Sequence, residues 1–248
     1  MTASRPIQCF FPGAFATLAE AVQQAFASRN PDARLVFHPF VPSGQLVAEI
    51  LGGAPADVVV TANRAFMARL VETGFVKQPA VLAGNRLCII VRPELRGRIR
   101  TLGDLAQPGL RVVAPQAQTD PCGQYVEQFF TRSGLAEAMQ AKAQAGTLLR
   151  SRGSADLPAF LLQGRADAGL LYASEAHALG TAVAVITLPP AFDLHEAIVF
   201  MVGAVWREGQ VHPLADALIA FLCGPRGQEL LRNAGFQPRD AVIAMGAA

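Results

Sequence analysis

The chain has 248 residues, enough for one or two domains at about 150 residues each. Its 21 Lys and Arg against 19 Asp and Glu leave a net charge of +2, and 52% of residues are hydrophobic, which excludes a disordered polyelectrolyte and argues against a dedicated nucleic-acid surface. No run of about 18 apolar residues is present to cross a membrane, and 4 cysteines are too few for a disulfide scaffold.

Met1–Pro6 is short and polar and lacks the charged stretch and apolar core of a signal peptide. The sequence alone therefore leaves open a cytoplasmic protein and an exported one in mature form. Ile7–Phe11 is apolar enough for a buried strand, and Pro12-Gly13 breaks it. Phe15, Leu18, Val22 and Phe26 then recur at helical spacing and predict a helix over 14–26. After the turn signal Asn30-Pro31-Asp32 come a strand over 35–40, a helix over 45–51 and a strand over 58–60.

Further helices are expected over 65–71, 101–105, 123–131, 157–163 and 174–179, and further strands over 86–91, 111–114, 168–172 and 183–188. A strand over 197–205, helices over 213–223 and 227–233, and a short apolar Val242-Ile243 close the chain. Strands alternating with helices argue for a largely parallel sheet covered on both faces, and the continuously apolar strands agree. Two α/β lobes fit better than one. Lobe 1 spans 5–83 plus the returning segment 195–248, and lobe 2 spans 86–190. Crossings near 84–86 and 190–195 would act as a hinge beside a ligand cleft.

In open α/β sheets ligands bind beyond the carboxyl ends of strands. Four such loops stand out. Phe11-Pro12-Gly13-Ala14 opens a helix, whose first N–H groups attract anions, although an ordinary strand-to-helix turn has the same sequence. Ser43, in Val41-Pro42-Ser43-Gly44, can cap the next helix or donate to a bound oxygen. Asp120-Pro121-Cys122-Gly123 offers backbone donors at Cys122 and Gly123, or a nucleophilic Cys122 at a helix start.

The fourth loop pairs Gly153-Ser154 with Tyr172. Ser154 can cap the helix near Leu157, and Tyr172 ends a strand, either at the ligand edge or as a core-edge side chain. Arg150 and Arg152 flank this region and are either a solvated face or partners for a fully charged ligand. No GxGxxG, Walker, HExxH or GxSxG pattern occurs. No CxxC pair occurs, and Cys9, Cys88 and Cys223 read as buried free thiols. His38, His177, His195 and His212 lack ligand spacing, so no metal is expected on side chains.

The same loops carry a family likeness. The stretch PSGQLVAEILGGAPADVVVTANRAFMARLVETGFV, from Pro42 to Val76, resembles the signature of the periplasmic molybdate-binding proteins, the solute receptors of ABC importers. NRLCIIV (85–91), DPCGQYVEQFF (120–130) and GRADAGLLYASEA (164–176) resemble three further family segments in the same order. The resemblance implies the two-lobed type II periplasmic-binding-protein fold, each lobe a mostly parallel sheet flanked by helices, with the ligand cleft between lobes.

The likeness also implies a periplasmic monomer with no cofactor and no nucleic-acid partner. Such a protein delivers an oxyanion such as molybdate or tungstate to a membrane permease. By the same resemblance the anion is held by neutral donors. Ser43 and Tyr172 supply hydroxyls, while Cys122 and Ser154 supply backbone N–H groups. Gly13, Gly44 and Gly123 adjoin these positions.

The first loop departs from the family pattern, because Ala14 stands where a serine or threonine is usual. A missing donor to a buried anion costs about 1–3 kcal/mol, so water or an inward-turned Thr17 would have to supply it. That departure and the two arginines keep sulfate, a phosphonate or an organic carboxylate as alternative ligands. Two other classes share the fold: an enzyme using Cys122, and the ligand-sensing domain of a transcription regulator. The latter predicts a helix-turn-helix in the same chain, and none is evident before Ile7.

Overall fold

The structure, a computed structural model, describes residues 5–195 and 197–245. Most of the Met1–Pro6 segment lies outside the described residues. In chain order the regular elements begin with β1 (Ile7–Phe10), α1 (Ala19–Ala27), β2 (Leu35–Phe37), α2 (Ser43–Leu51), β3 (Val58–Thr61), α3 (Arg64–Glu72) and β4 (Ala80–Gly84). They continue with β5 (Leu87–Val91), β6 (Val112–Pro115), α4 (Pro121–Arg132), α5 (Ala136–Gln144), β7 (Leu148–Ser151), α6 (Leu157–Leu162), β8 (Ala168–Tyr172), α7 (Ala173–Leu179) and β9 (Ala184–Thr187). The last are β10 (Val199–Ala204), α8 (Ala215–Cys223), α9 (Pro225–Asn233) and α10 (Arg239–Ala244).

The chain forms two compact units, one of residues 1–85 and 196–248, the other of residues 86–195. Each holds one five-stranded sheet, ordered β2-β1-β3-β10-β4 and β7-β6-β8-β5-β9. In the first, β1 pairs in parallel with β2 and β3, while β10 inserts antiparallel between β3 and β4. In the second, β6 pairs in parallel with β7 and β8, while β5 runs antiparallel between β8 and β9. Four strands of each sheet thus share one direction, and one runs against them.

Helices cover these sheets, so the inner strands have no wet face, while the edge strands β7 and β9 expose isolated residues. Every residue of β3, β5, β6 and β8 is buried. The chain between β1 and α1 does not wind as α-helix from its start. Gly13–Leu18 is a 3₁₀ turn whose Phe15 N–H reaches the Pro12 carbonyl at 2.9 Å. β2 ends at Phe37, short of the predicted Phe40.

Four elements were not foreseen in their observed form. β4, α5 and β7 went unread, and the short Val242-Ile243 segment is part of α10. α10 packs hard on β4: a Cβ on Gly84 would come within 2.7 Å of the Val242 methyl Cγ2. Beneath the first sheet Asp57, almost fully buried, accepts two bonds from the Arg5 guanidinium at 2.7 and 2.8 Å and the Gln8 N–H at 2.8 Å. A carboxylate taken out of water is tolerated because its oxygens are answered in this way.

Candidate functional site

Because β1, β2 and β3 are parallel, their carboxyl ends share one edge of the first sheet. The first loop beyond that edge holds Gly13 and Ala14. Their N–H groups open the 3₁₀ turn ahead of its first internal bond, and Ala14 is buried. Thr17 is exposed and not turned inward, so it does not replace the hydroxyl missing at position 14.

Ser43 is fully buried at the first position of α2. It does not cap that helix. Its Oγ accepts the Ala62 N–H at 2.9 Å, fastening α2 to the end of β3. A hydroxyl that accepts one bond still has its own proton to donate. Gly44 follows it, half-buried. Thr61 Oγ1 donates to the Asn63 carbonyl at 2.8 Å, and Asn63 Oδ1 caps α3 by accepting the Phe66 N–H at 2.9 Å. This Thr61–Asn63 loop was missed by the sequence reading, although a small polar residue closing an apolar strand signals it.

In the second unit β6, β7 and β8 likewise end on one edge. The structure brings Cys122, Ser154 and Tyr172 together there, around a residue that sequence reasoning did not select. Asp120 Oδ1 accepts the Cys122 N–H at 2.8 Å, and its Oδ2 accepts the Ser154 N–H at 2.6 Å. One buried carboxylate therefore holds both backbone donors that the resemblance assigns to an anion. The signal for Asp120 was present, since Asp before Pro at a helix start is an N-cap signature.

Ser154 does not cap the helix at Leu157. Its hydroxyl donates to Glu175 Oε1 at 2.8 Å, and Glu175 Oε2 is buried with no hydrogen-bond partner among the described residues. Tyr172, 1% exposed, ends β8 beside them. Gly123 lies so close to the preceding loop that a Cβ there would stand 2.6 Å from the Gln116 carbonyl carbon.

Burial sets the protonation of this cluster. It pushes the Asp120 carboxyl up to about 6, against the Ser154 and Cys122 N–H bonds that favour the charged form. It pushes Glu175 up to about 8, helped by the neighbouring Asp120 charge. The Tyr172 phenol and the Cys122 thiol are also held well above their ordinary ranges, burial being the chief cause. A thiol so reluctant to ionise is no nucleophile, and the enzyme reading of Cys122 falls.

The arginines do not present free charge. Arg150 pairs with Glu127 at 2.6 Å, while Arg152 is solvent-exposed and pairs with Asp156 at 3.0 Å. Cys9 and Cys88 are buried free thiols, whereas Cys223 is only half-buried, its sulfur 3.8 Å from the Val81 carbonyl. Among the described residues no three His, Cys, Asp or Glu side chains group to hold a metal ion.

Comparison with known proteins adds to this geometry. The sequence profile of a family described as bacterial extracellular solute-binding protein matches residues 7–237. The molybdate-binding protein ModA of Mycobacterium tuberculosis is 26% identical over 234 residues, which cover 94% of this chain and 85% of that protein. The structure of the Azotobacter vinelandii periplasmic molybdate-binding protein superposes with a TM-score of 0.78 at 20% identity, covering 93% of this chain and 98% of that one. The sulfate-binding protein SubI from Mycobacterium tuberculosis superposes with a TM-score of 0.78 at 21% identity, covering 96% and 89%. The structural likenesses establish the type II periplasmic-binding-protein fold.

Proposed function

The chain belongs to the bacterial extracellular solute-binding proteins, and from that premise we propose that it is the periplasmic receptor of an ABC importer and captures a small tetrahedral oxyanion. The observation that carries this reading is the family match along nearly the whole chain, joined to buried neutral donors at the strand ends of both units.

In this reading each unit carries neutral donors of the kind an oxyanion needs. The first offers the Ala14 N–H and the Ser43 hydroxyl. The second offers the Cys122 and Ser154 N–H groups and the Tyr172 hydroxyl. Preorganised peptide and hydroxyl dipoles in a dry setting stabilise an anion without a neutralising cation. The chain passes between the two units at 85–86 and 195–196. The protein works as a monomer and hands its ligand to a membrane permease. It needs no cofactor.

Molybdate and tungstate lead the ligands to be tested, because curated relatives along the full chain carry the name molybdate-binding protein. Sulfate follows, since sulfate-binding proteins match at 25% identity. Calorimetric titration with molybdate, tungstate, sulfate, phosphate and small carboxylates tests the reading. At least one tetrahedral oxyanion is expected to bind at micromolar concentration or below, and binding of none would overturn it.

A further inference from the structure

Resting on the oxyanion reading, we infer that Asp120 is a specificity-determining residue that makes the site require a proton: it favours oxyanions carrying a hydrogen to donate to the Asp120 carboxylate, such as hydrogenphosphate, hydrogenarsenate and phosphonates, over sulfate and molybdate. The inference starts from a conflict of donors. Cys122 N–H and Ser154 N–H, two of the five donors in that reading, point at the two oxygens of one side chain, 2.8 and 2.6 Å away. An anion that reaches these N–H groups meets Asp120 first.

Two negative oxygens cannot share such a place without a hydrogen between them. Burial deepens the requirement, because little water is present to screen the repulsion. The surroundings do not neutralise Asp120. Glu175, Tyr172 and Cys122 stand near it, Asp156 adds a further negative charge, and among the described residues no cation forms an ion pair with the carboxylate. The two flanking arginines are committed to Glu127 and Asp156.

The hydrogen can come from either side. Hydrogenphosphate and hydrogenarsenate keep a proton throughout the neutral range, because a doubly charged anion gives up its third proton only in strong base, and they can donate it to Asp120. Sulfate and molybdate are fully deprotonated and bind only when Asp120 itself has taken a proton. Asp120 releases its proton at about 6, so each pH unit above that weakens their binding about tenfold. Glu175 supports this arrangement. It holds the Ser154 hydroxyl at 2.8 Å, and its second oxygen has no partner in the cluster.

The test is calorimetry on the full chain with phosphate, arsenate, sulfate and molybdate, at about pH 7.5 and about pH 5, on either side of the Asp120 titration. Two buffers of different ionisation enthalpy are used at each pH so that proton uptake is counted. At the higher pH phosphate and arsenate should bind about 30-fold tighter than sulfate and molybdate, the tenfold penalty per unit acting over about 1.5 pH units. Molybdate should take up close to one proton on binding, and the gap should narrow at the lower pH. Asp120→Asn keeps an acceptor for one N–H and adds a donor, so its preference should turn toward sulfate and molybdate.

Equal affinities in the wild-type protein, with no proton uptake by molybdate, would overturn the inference and leave the oxyanion receptor standing. So would a folded Asp120→Asn variant with unchanged preference, which would reduce Asp120 to the N-cap of α4. Should that variant fail to fold, the wild-type proton count decides alone. Failure to bind any of the four anions would instead remove the oxyanion reading, and this inference with it.

Discussion

Ser43 and Ala62 are joined by a hydrogen bond of 2.9 Å in which the Ala62 N–H donates to the buried Ser43 Oγ. The serine proton is left for a ligand, so one hydroxyl serves the fold as acceptor and the proposed site as donor. Ser43→Ala should leave the Ala62 N–H unanswered and lower unfolding stability by about 1–3 kcal/mol. It should also weaken oxyanion binding about tenfold or more. Urea unfolding and calorimetry read the two effects separately. A stability loss with unchanged affinity would leave Ser43 as a purely structural residue.

Gly123 has no room for a side chain. A methyl group there would meet the Gln116 backbone at 2.6 and 2.7 Å, and main chain cannot step aside as a flexible side chain can. Gly123→Ala should cost about 1–3 kcal/mol of stability. It should also weaken anion binding, since it pushes the first turn of α4 away from the loop that ends β6. Gly97→Ala, where nothing lies within 4 Å, is the matched control and should leave denaturant midpoint and affinity unchanged.

Much of this architecture was legible because apolar runs and Pro/Gly breaks are local signals. The missed elements lacked such signals. β4 reads Ala-Val-Leu-Ala-Gly and becomes a strand by pairing with β10, which is far away in sequence. β7 has two polar residues in four and sits on a sheet edge. α5 is alanine-rich with only a weak apolar stripe. The site shows the same division. Ser43, Cys122, Ser154 and Tyr172 were singled out on loops beyond strand ends, and the family likeness supplied the role expected of each. Asp120 was overlooked because its contact with Ser154 joins loops after two different strands, a relation no local pattern carries.

Asp167 anchors a second, structural charge cluster. It accepts Arg111 Nη2 at 2.8 Å, Arg111 N–H at 2.8 Å and Arg92 Nη2 at 3.0 Å. Burial pushes its carboxyl up, but the Arg111 bonds and the Arg92 charge outweigh this and hold it below the ordinary carboxylate range. The folded state therefore binds its proton less readily than the unfolded chain. The resulting stability is present above about pH 4 and is lost as pH falls through the lowered value. Asp167→Asn should reduce stability by about 1.5–3 kcal/mol at neutral pH. It should also make unfolding less steeply dependent on pH below about pH 4. An unchanged acid limb in the variant would show that Asp167 does not govern acid unfolding.

Glu175 has the opposite sign. Its carboxyl is raised to about 8 in the folded protein, chiefly by burial and then by the Asp120 charge. In the unfolded chain it titrates at about 4.3. Between these values the folded state holds the proton more tightly. The contribution is full below the unfolded value and disappears as pH rises through about 8. Asp120, raised to about 6, adds to the same trend over a narrower range. Unfolding stability of the wild-type protein should therefore fall as pH rises across this window, by up to about 1.4 kcal/mol per unit for each proton. Glu175→Gln cannot titrate, and its amide can still accept from the Ser154 hydroxyl. It should flatten most of the slope above about pH 6, leaving only the Asp120 part below. Urea midpoints collected across the window for both proteins measure this directly. A wild-type slope that persists unaltered in Glu175→Gln would place the titrating group elsewhere.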